Sequence, residues 1–152
     1  MARDLEAKLN SYRPMALAVF RVIFGLLFLC EGLSKLIGWP APHTLPVGEW
    51  PGYYAAWIEL VAGVLVTAGL FTRVAAFVAC GEMAVAYFTV HMPHGFFPIS
   101  NHGEAAVMYC FAFFLLIFTG GGAYMLDVRV AHGRWRGAPL TRWRGNRRTL
   151  RR

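Results

Sequence analysis

At 152 residues the chain is one domain by length, and its formal net charge of +7 rests on only 15% charged residues. Apolar residues make up 57% of it and the mean hydropathy is +0.46, whereas a soluble domain carries about a quarter charged residues. This balance argues against an ordinary soluble domain, and the apolar blocks lack the alternating segments of about ten residues that a membrane β-barrel needs.

The apolar residues fall into four runs, at about 15–37, 54–71, 74–91 and 104–126. A hydrocarbon core takes about 20 helical residues at about 1.5 Å each, so the expectation is an all-α, integral membrane four-helix bundle over 15–127. A cytoplasmic segment (1–14) precedes it and a basic cytoplasmic tail (128–152) follows. The first run is too long for the apolar part of a signal peptide, and no small-x-small cleavage site follows GLSKLIGWP, so it reads as a retained helix.

Arg3, Lys8 and Arg13 precede the first run, and Arg73 sits in the turn between the second and third. Nine arginines and no acid lie between Arg129 and Arg152, while the two longer connections contain no lysine or arginine. The positive-inside rule then places both termini and the 72–73 turn in the cytoplasm, with the longer loops outside. In the tail, RWRG occurs at 134–137 and again at 142–145. Arginine interleaved with tryptophan suits an anionic leaflet, at about 1 kcal/mol per cation, and reads as a lipid contact rather than a nucleic-acid site.

Five charged residues lie inside the runs: Arg21, Glu31, Lys35, Glu59 and Glu82. Such residues cost a few kcal/mol near the bilayer centre unless they face the bundle interior and find partners. On the first helix Arg21, Gly25, Phe28, Gly32 and Lys35 share one face at 100° per residue, and glycines mark close helix contacts in membranes. Glu59, Gly63 and Val66 form a similar face on the second helix. Glu31 precedes Lys35 in the favoured order for an i,i+4 ion pair. Matching depths suggests a buried ion pair between Arg21 and Glu82.

The connection HMPHGFFPISNHGEA, residues 91–105, gathers three histidines and a carboxylate. Glu104 in the first turn of the fourth helix suits the helix dipole, with Asn101 and Gly103 just before it. Glu31, Lys35, Glu59, His91 and Glu104 all fall at the outer mouth and form the candidate outer polar pocket. Trp39, Trp50, Tyr53, Phe96 and Phe97 would supply an aromatic lid, a setting suited to a small polar ligand or a quinone headgroup. The tryptophans also suit a membrane-interface belt. His91, His94 and His102 lack the spacing of a metal site, so none is expected, and His43 and His132 read as loop histidines. Cys30, Cys80 and Cys110 form no CxxC pair and read as small apolar residues; Cys30 and Cys110 match in depth.

Taken together, RVIFGLLFLCEGLSKL, ELVAGVLVTAGLFTR, MAVAYFTVHMPHGFF and GEAAVMYCFAFFLLIFTGGGAYMLD resemble the DoxX family of small four-helix membrane proteins. The resemblance implies a compact bundle and an oxidoreductase connection: the family is named for a membrane component of a thiosulfate:quinone oxidoreductase. Relatives in actinobacteria are associated with thiol and superoxide detoxification, which implies a role in oxidative stress. The family's recurring polar positions fall on Arg21, Lys35, Glu59, Arg73, His91, Glu104 and Asp127; Glu31 and Glu82 depart from its pattern.

Two functions follow as expectations. One is an accessory membrane subunit of a redox system, using a quinone and a protein redox partner, with no covalently bound cofactor. The other is a non-enzymatic scaffold or small-solute carrier whose intramembrane charges are structural ion pairs, with a homo-oligomer supplying bulk.

Overall fold

A computed structural model describes residues 2–127; the arginine-rich tail lies outside the described residues. The described chain is all-helical, with no strand. Its elements are α1 (Ala2–Ile37), α2 (Gly52–Ala68), α3 (Thr72–Ala86), a π-helical turn (Tyr87–His91), a 3₁₀ turn (Met92–His94), the short α4 (Pro98–Asn101) and α5 (Glu104–Thr119).

α1 begins thirteen residues earlier than the apolar run suggested, because its helix passes through Pro14 without a break. At 36 residues it is about 54 Å long, and residues 3–16 stand exposed beyond the packed region. α2 stops at Ala68 because Gly69 turns left-handed (φ 71°), and the Gly69 and Leu70 N–H groups return to the Val66 and Leu65 carbonyls. This is the capping pattern that glycine favours. α5 stops at Thr119, seven residues short of expectation, because Gly120 and Gly122 adopt φ 73° and 75°. The segment after it folds back on α1, where the Ala123 N–H donates to the Pro14 carbonyl. One end of the molecule is thus formed by the 69–72 turn and residues 120–127 (the turn end). The opposite, loop end carries residues 38–51 and 92–103.

α1 packs on α2, α2 on α3, and α3 on α5. The α1–α2 contact is nearly backbone to backbone. A Cβ added to Gly32 would stand 2.7 Å from the Ala56 carbonyl oxygen, and one on Gly63 would stand 2.7 Å from the Leu29 nitrogen. The glycine face read from the sequence is therefore the packed one. α3 and α5 pack together and share one core cluster, to which α3 brings Ala75, Ala76, Ala79 and Met83 and α5 brings Ala106, Phe113 and Leu116. α1 reaches α5 through rings, with Phe28 4.7 Å from Phe113 and 5.3 Å from Tyr109 between centroids.

Phe28, Phe113 and Leu116 are buried, but many other large apolar side chains point outward. Val19, Ile23 and Leu27 on α1, Phe77 and Val85 on α3, and Phe111, Phe114 and Phe118 on α5 are all exposed. Close helix contacts at glycines and alanines under a large apolar exterior are the arrangement lipid selects and water opposes. Two helical stretches, Arg3–Ile37 and Thr72–His94, are long and apolar enough to cross a membrane by length and composition. Gly52–Ala68 and Glu104–Thr119 are apolar but shorter.

Gly63→Val should lower stability by about 1–3 kcal/mol through forced separation of α1 and α2. A Cβ on Gly81 meets nothing within 4 Å, so Gly81→Ala should stabilise by up to about 1 kcal/mol. Unfolding in detergent checks both, and equal losses would refute the close approach.

Candidate functional site

The centre of the polar cluster is Glu59. It sits on α2 one turn before Gly63, so the close approach that the glycine permits carries its carboxylate directly against α1. Glu59 is wholly buried, and its Oε1 forms an ion pair with Lys35 Nζ. Its Oε2 is buried without a hydrogen-bond partner. Glu82 of α3 comes close enough to feel both Glu59 and Lys35, and its own Oε2 is likewise buried and unpartnered. The Tyr109 hydroxyl of α5 lies within the field of Glu31 and Glu59, with its ring stacked on Phe113. α1 and α2 thus supply a direct buried ion pair, and Glu82 of α3 and Tyr109 of α5 lie within reach of its charge.

This differs from the grouping expected by depth. Lys35 takes Glu59 rather than Glu31, which remains exposed on α1 and reaches the centre only through its charge. Glu104 is exposed at the start of α5, a first-turn acid at the loop end. His91 is half-buried, with Nδ1 3.2 Å from the Asn101 carbonyl oxygen. His91 therefore holds the 92–103 loop, and neither it nor Glu104 joins Lys35 and Glu59. The aromatic lid does not close either: Trp39, Trp50, Phe96 and Phe97 project outward.

The loop itself is organised by Asn101, which is buried. Its Nδ2 donates to the Gly95 carbonyl (2.6 Å), and its Oδ1 accepts the Gly103 N–H (2.8 Å). The sequence marked Asn101 only as a neighbour of the helix start; its role as the loop's hub has no periodic signal. Tyr109 and the position of Glu82 were also missed, because α3 and α5 are apolar on every side and their rotation is not encoded in the pattern.

The expected Arg21–Glu82 pair does not form. Glu82 lies ten residues into α3, about 15 Å above the helix start, while Arg21 is buried at the turn end. There its Nη2 lies 3.5 Å from the Tyr124 carbonyl oxygen, Gly69 and Gly121 pack against its guanidinium, and Asp127 supplies the facing negative charge. Counting depth from assumed membrane borders misplaced Arg21, because α1 runs well past the packed region. Arg73 and Asp127 meet at the same end, lining a cavity of about 240 Å³ with Thr72, Thr119 and Gly120. A second cavity of about 250 Å³ lies on the apolar side of α1 around Val19 and Val22. Neither opens onto the Lys35–Glu59 centre.

The DoxX family model matches residues 16–92, from the packed part of α1 to the end of the π-helical turn. The chain belongs to the DoxX family. That span contains Arg21, Lys35, Glu59, Arg73, Glu82 and His91, and so most of the polar centre. An uncharacterized protein of Haemophilus influenzae is 40% identical over 125 residues, covering 78% of this DoxX chain and 93% of the relative. A Bacillus subtilis protein provisionally named oxidoreductase CatD is 28% identical over 133 residues, covering 85% of this chain and 97% of the relative. No solved structure matches the chain significantly. Family membership, together with the apolar helices and their apolar exterior, makes this a membrane protein in contact with lipid.

Lys35→Met should cost about 3–5 kcal/mol, the price of leaving the Glu59 charge buried beside Glu82. Lys35→Met/Glu59→Leu should recover most of that loss. Equilibrium unfolding of the two variants and the parent measures it, and additive losses would show that the pair is not coupled.

Proposed function

We propose that this DoxX protein is the membrane subunit of a redox system, whose Lys35–Glu59–Glu82 centre receives the headgroup of a quinone or a similar small polar oxidant. The observation that carries this reading is the pair of buried carboxylate oxygens without partners, Glu59 Oε2 and Glu82 Oε2, beside a single cation. Two carboxylates against one ammonium leave one negative charge in excess, which one proton balances. A carboxylate that holds such a proton donates a hydrogen bond to a carbonyl placed against it. The name of the Bacillus subtilis relative points to the same chemistry.

In this reading Lys35 and the two carboxyls would hold a quinone, which when bound supplies a two-electron, two-proton acceptor. Lys35 fixes the Glu59 carboxylate and orients its free oxygen. The apolar packing of Phe28 and Phe113 keeps water from the centre, and Tyr109 supplies a hydroxyl at its edge. The electrons come from a protein redox partner. Glu31, an exposed acid about 9 Å below the end of α1, marks where such a partner or a second copy would cover the charge from lipid. Four crossings of a bacterial cytoplasmic membrane, with both termini inside, are the topology that places the centre nearer the outer side. The arginines beyond Asp127 then face anionic lipid.

The direct Lys35–Glu59 pair favours a second reading, a scaffold or small-solute carrier with structural ion pairs. Solvent extracts of the purified protein and of Glu59→Gln, both verified as folded by thermal scan, separate the two. Stoichiometric quinone in the parent and a loss of at least tenfold in Glu59→Gln is the expected result. No quinone in either would leave the scaffold.

A further inference from the structure

The sequence matched Cys30 with Cys110 by depth, yet the structure brings a different pair together. Cys80 Sγ on α3 and Cys110 Sγ on α5 lie 3.7 Å apart, both as free thiols. The contact falls where α3 and α5 pack: Ala76 lies one turn before Cys80 and Ala106 one turn before Cys110, both buried in the shared core. Both cysteines are half-buried at the edge of the core. Cys80 lies about 12 Å from the start of α3, and Cys110 about 9 Å from the start of α5 at the other end. Their surroundings on the outside are Phe77, Phe111 and Phe114, all exposed on the apolar exterior.

We propose that Cys80 and Cys110 are a redox-active dithiol that delivers two electrons to a lipid-soluble quinone. Closing the pair shortens the sulfur separation from 3.7 Å to the roughly 2 Å of a disulfide. The two S–H bonds break, one S–S bond forms, and the two electrons and two protons reduce the quinone to its quinol. The oxidant's class follows from position: behind an apolar exterior a charged oxidant such as glutathione disulfide does not reach the α3–α5 seam, while a quinone dissolves in the phase that bathes it. Cys30 stands apart on α1 and takes no part. The proposal rests on the redox reading above for its oxidant, but not on the Lys35–Glu59 centre as the binding site.

The full-length protein in lipid nanodiscs is reduced, freed of reductant without oxygen, and incubated with duroquinone, whose fully substituted ring takes up no thiol by addition. It is then denatured, alkylated and digested. The expected result is that two of the three thiols escape alkylation, that the joined peptides carry Cys80 and Cys110, and that one quinol forms per chain by absorbance. Cys80→Ser should abolish both the link and the quinol, whereas Cys30→Ser should leave both unchanged. Full alkylation after duroquinone, a link through Cys30, or a link formed by diamide but not by duroquinone would each overturn the proposal. Extraction scores quinone binding separately. Bound quinone with all thiols reactive would sink the dithiol alone, and a Cys80–Cys110 link with no quinone in the extract would sink the Lys35–Glu59 site alone.

Discussion

The close approach of α1 and α2 is the constraint on which the rest depends. Gly32 and Gly63 let two backbones come near enough that side chains one turn away are forced together. Lys35 lies three residues beyond Gly32 and Glu59 four residues before Gly63, so the packing that excludes lipid also sets the ion pair. With larger residues at either glycine the helices would part and Glu59 would face hydrocarbon uncompensated. Helix association in lipid has no hydrophobic drive of its own, which makes fit and polar pairing at this seam mutually necessary.

The same constraint explains why charge is concentrated rather than scattered. An isolated acid in an apolar medium is costly, yet Glu59 and Glu82 share a single ammonium. The cation is insufficient for both, and the unpartnered oxygens record the shortfall. The turn end shows the same shortfall: Arg21 is walled by glycines with Asp127 across from it, and its Nη2 reaches the Tyr124 carbonyl, yet its Nε and Nη1 are buried without partners.

Much of this was legible where the sequence carries a period. The stripe from Arg21 to Lys35 and the Glu59–Gly63–Val66 face recur as the α1–α2 seam, because spacing along a helix fixes direction around it. What failed was depth and rotation. α1 has no break at Pro14, so counting from its apolar border set Arg21 opposite Glu82; Cys30 and Cys110 do lie at similar depths, about 10 Å and 9 Å from the loop end, but Cys110 faces α3. The structure instead gives Glu82 to Lys35 and Glu59, and Cys110 to Cys80. His91 and Glu104 drew attention by type, but a loop has no period to aim them; Asn101 holds that loop through hydrogen bonds that no pattern announces.

The corner around Arg21 also has a consequence for the order of biogenesis. The guanidinium belongs to the first helix to be synthesised, yet Tyr124 lies 103 residues downstream and Gly121 and Asp127 are equally late. While the chain is still emerging, the first helix must enter the bilayer with that charge unhoused, or wait at its margin. Completion of the last segment is what settles it. A nascent chain halted after α3 would therefore still carry, on its first helix, an arginine whose partners have not been made.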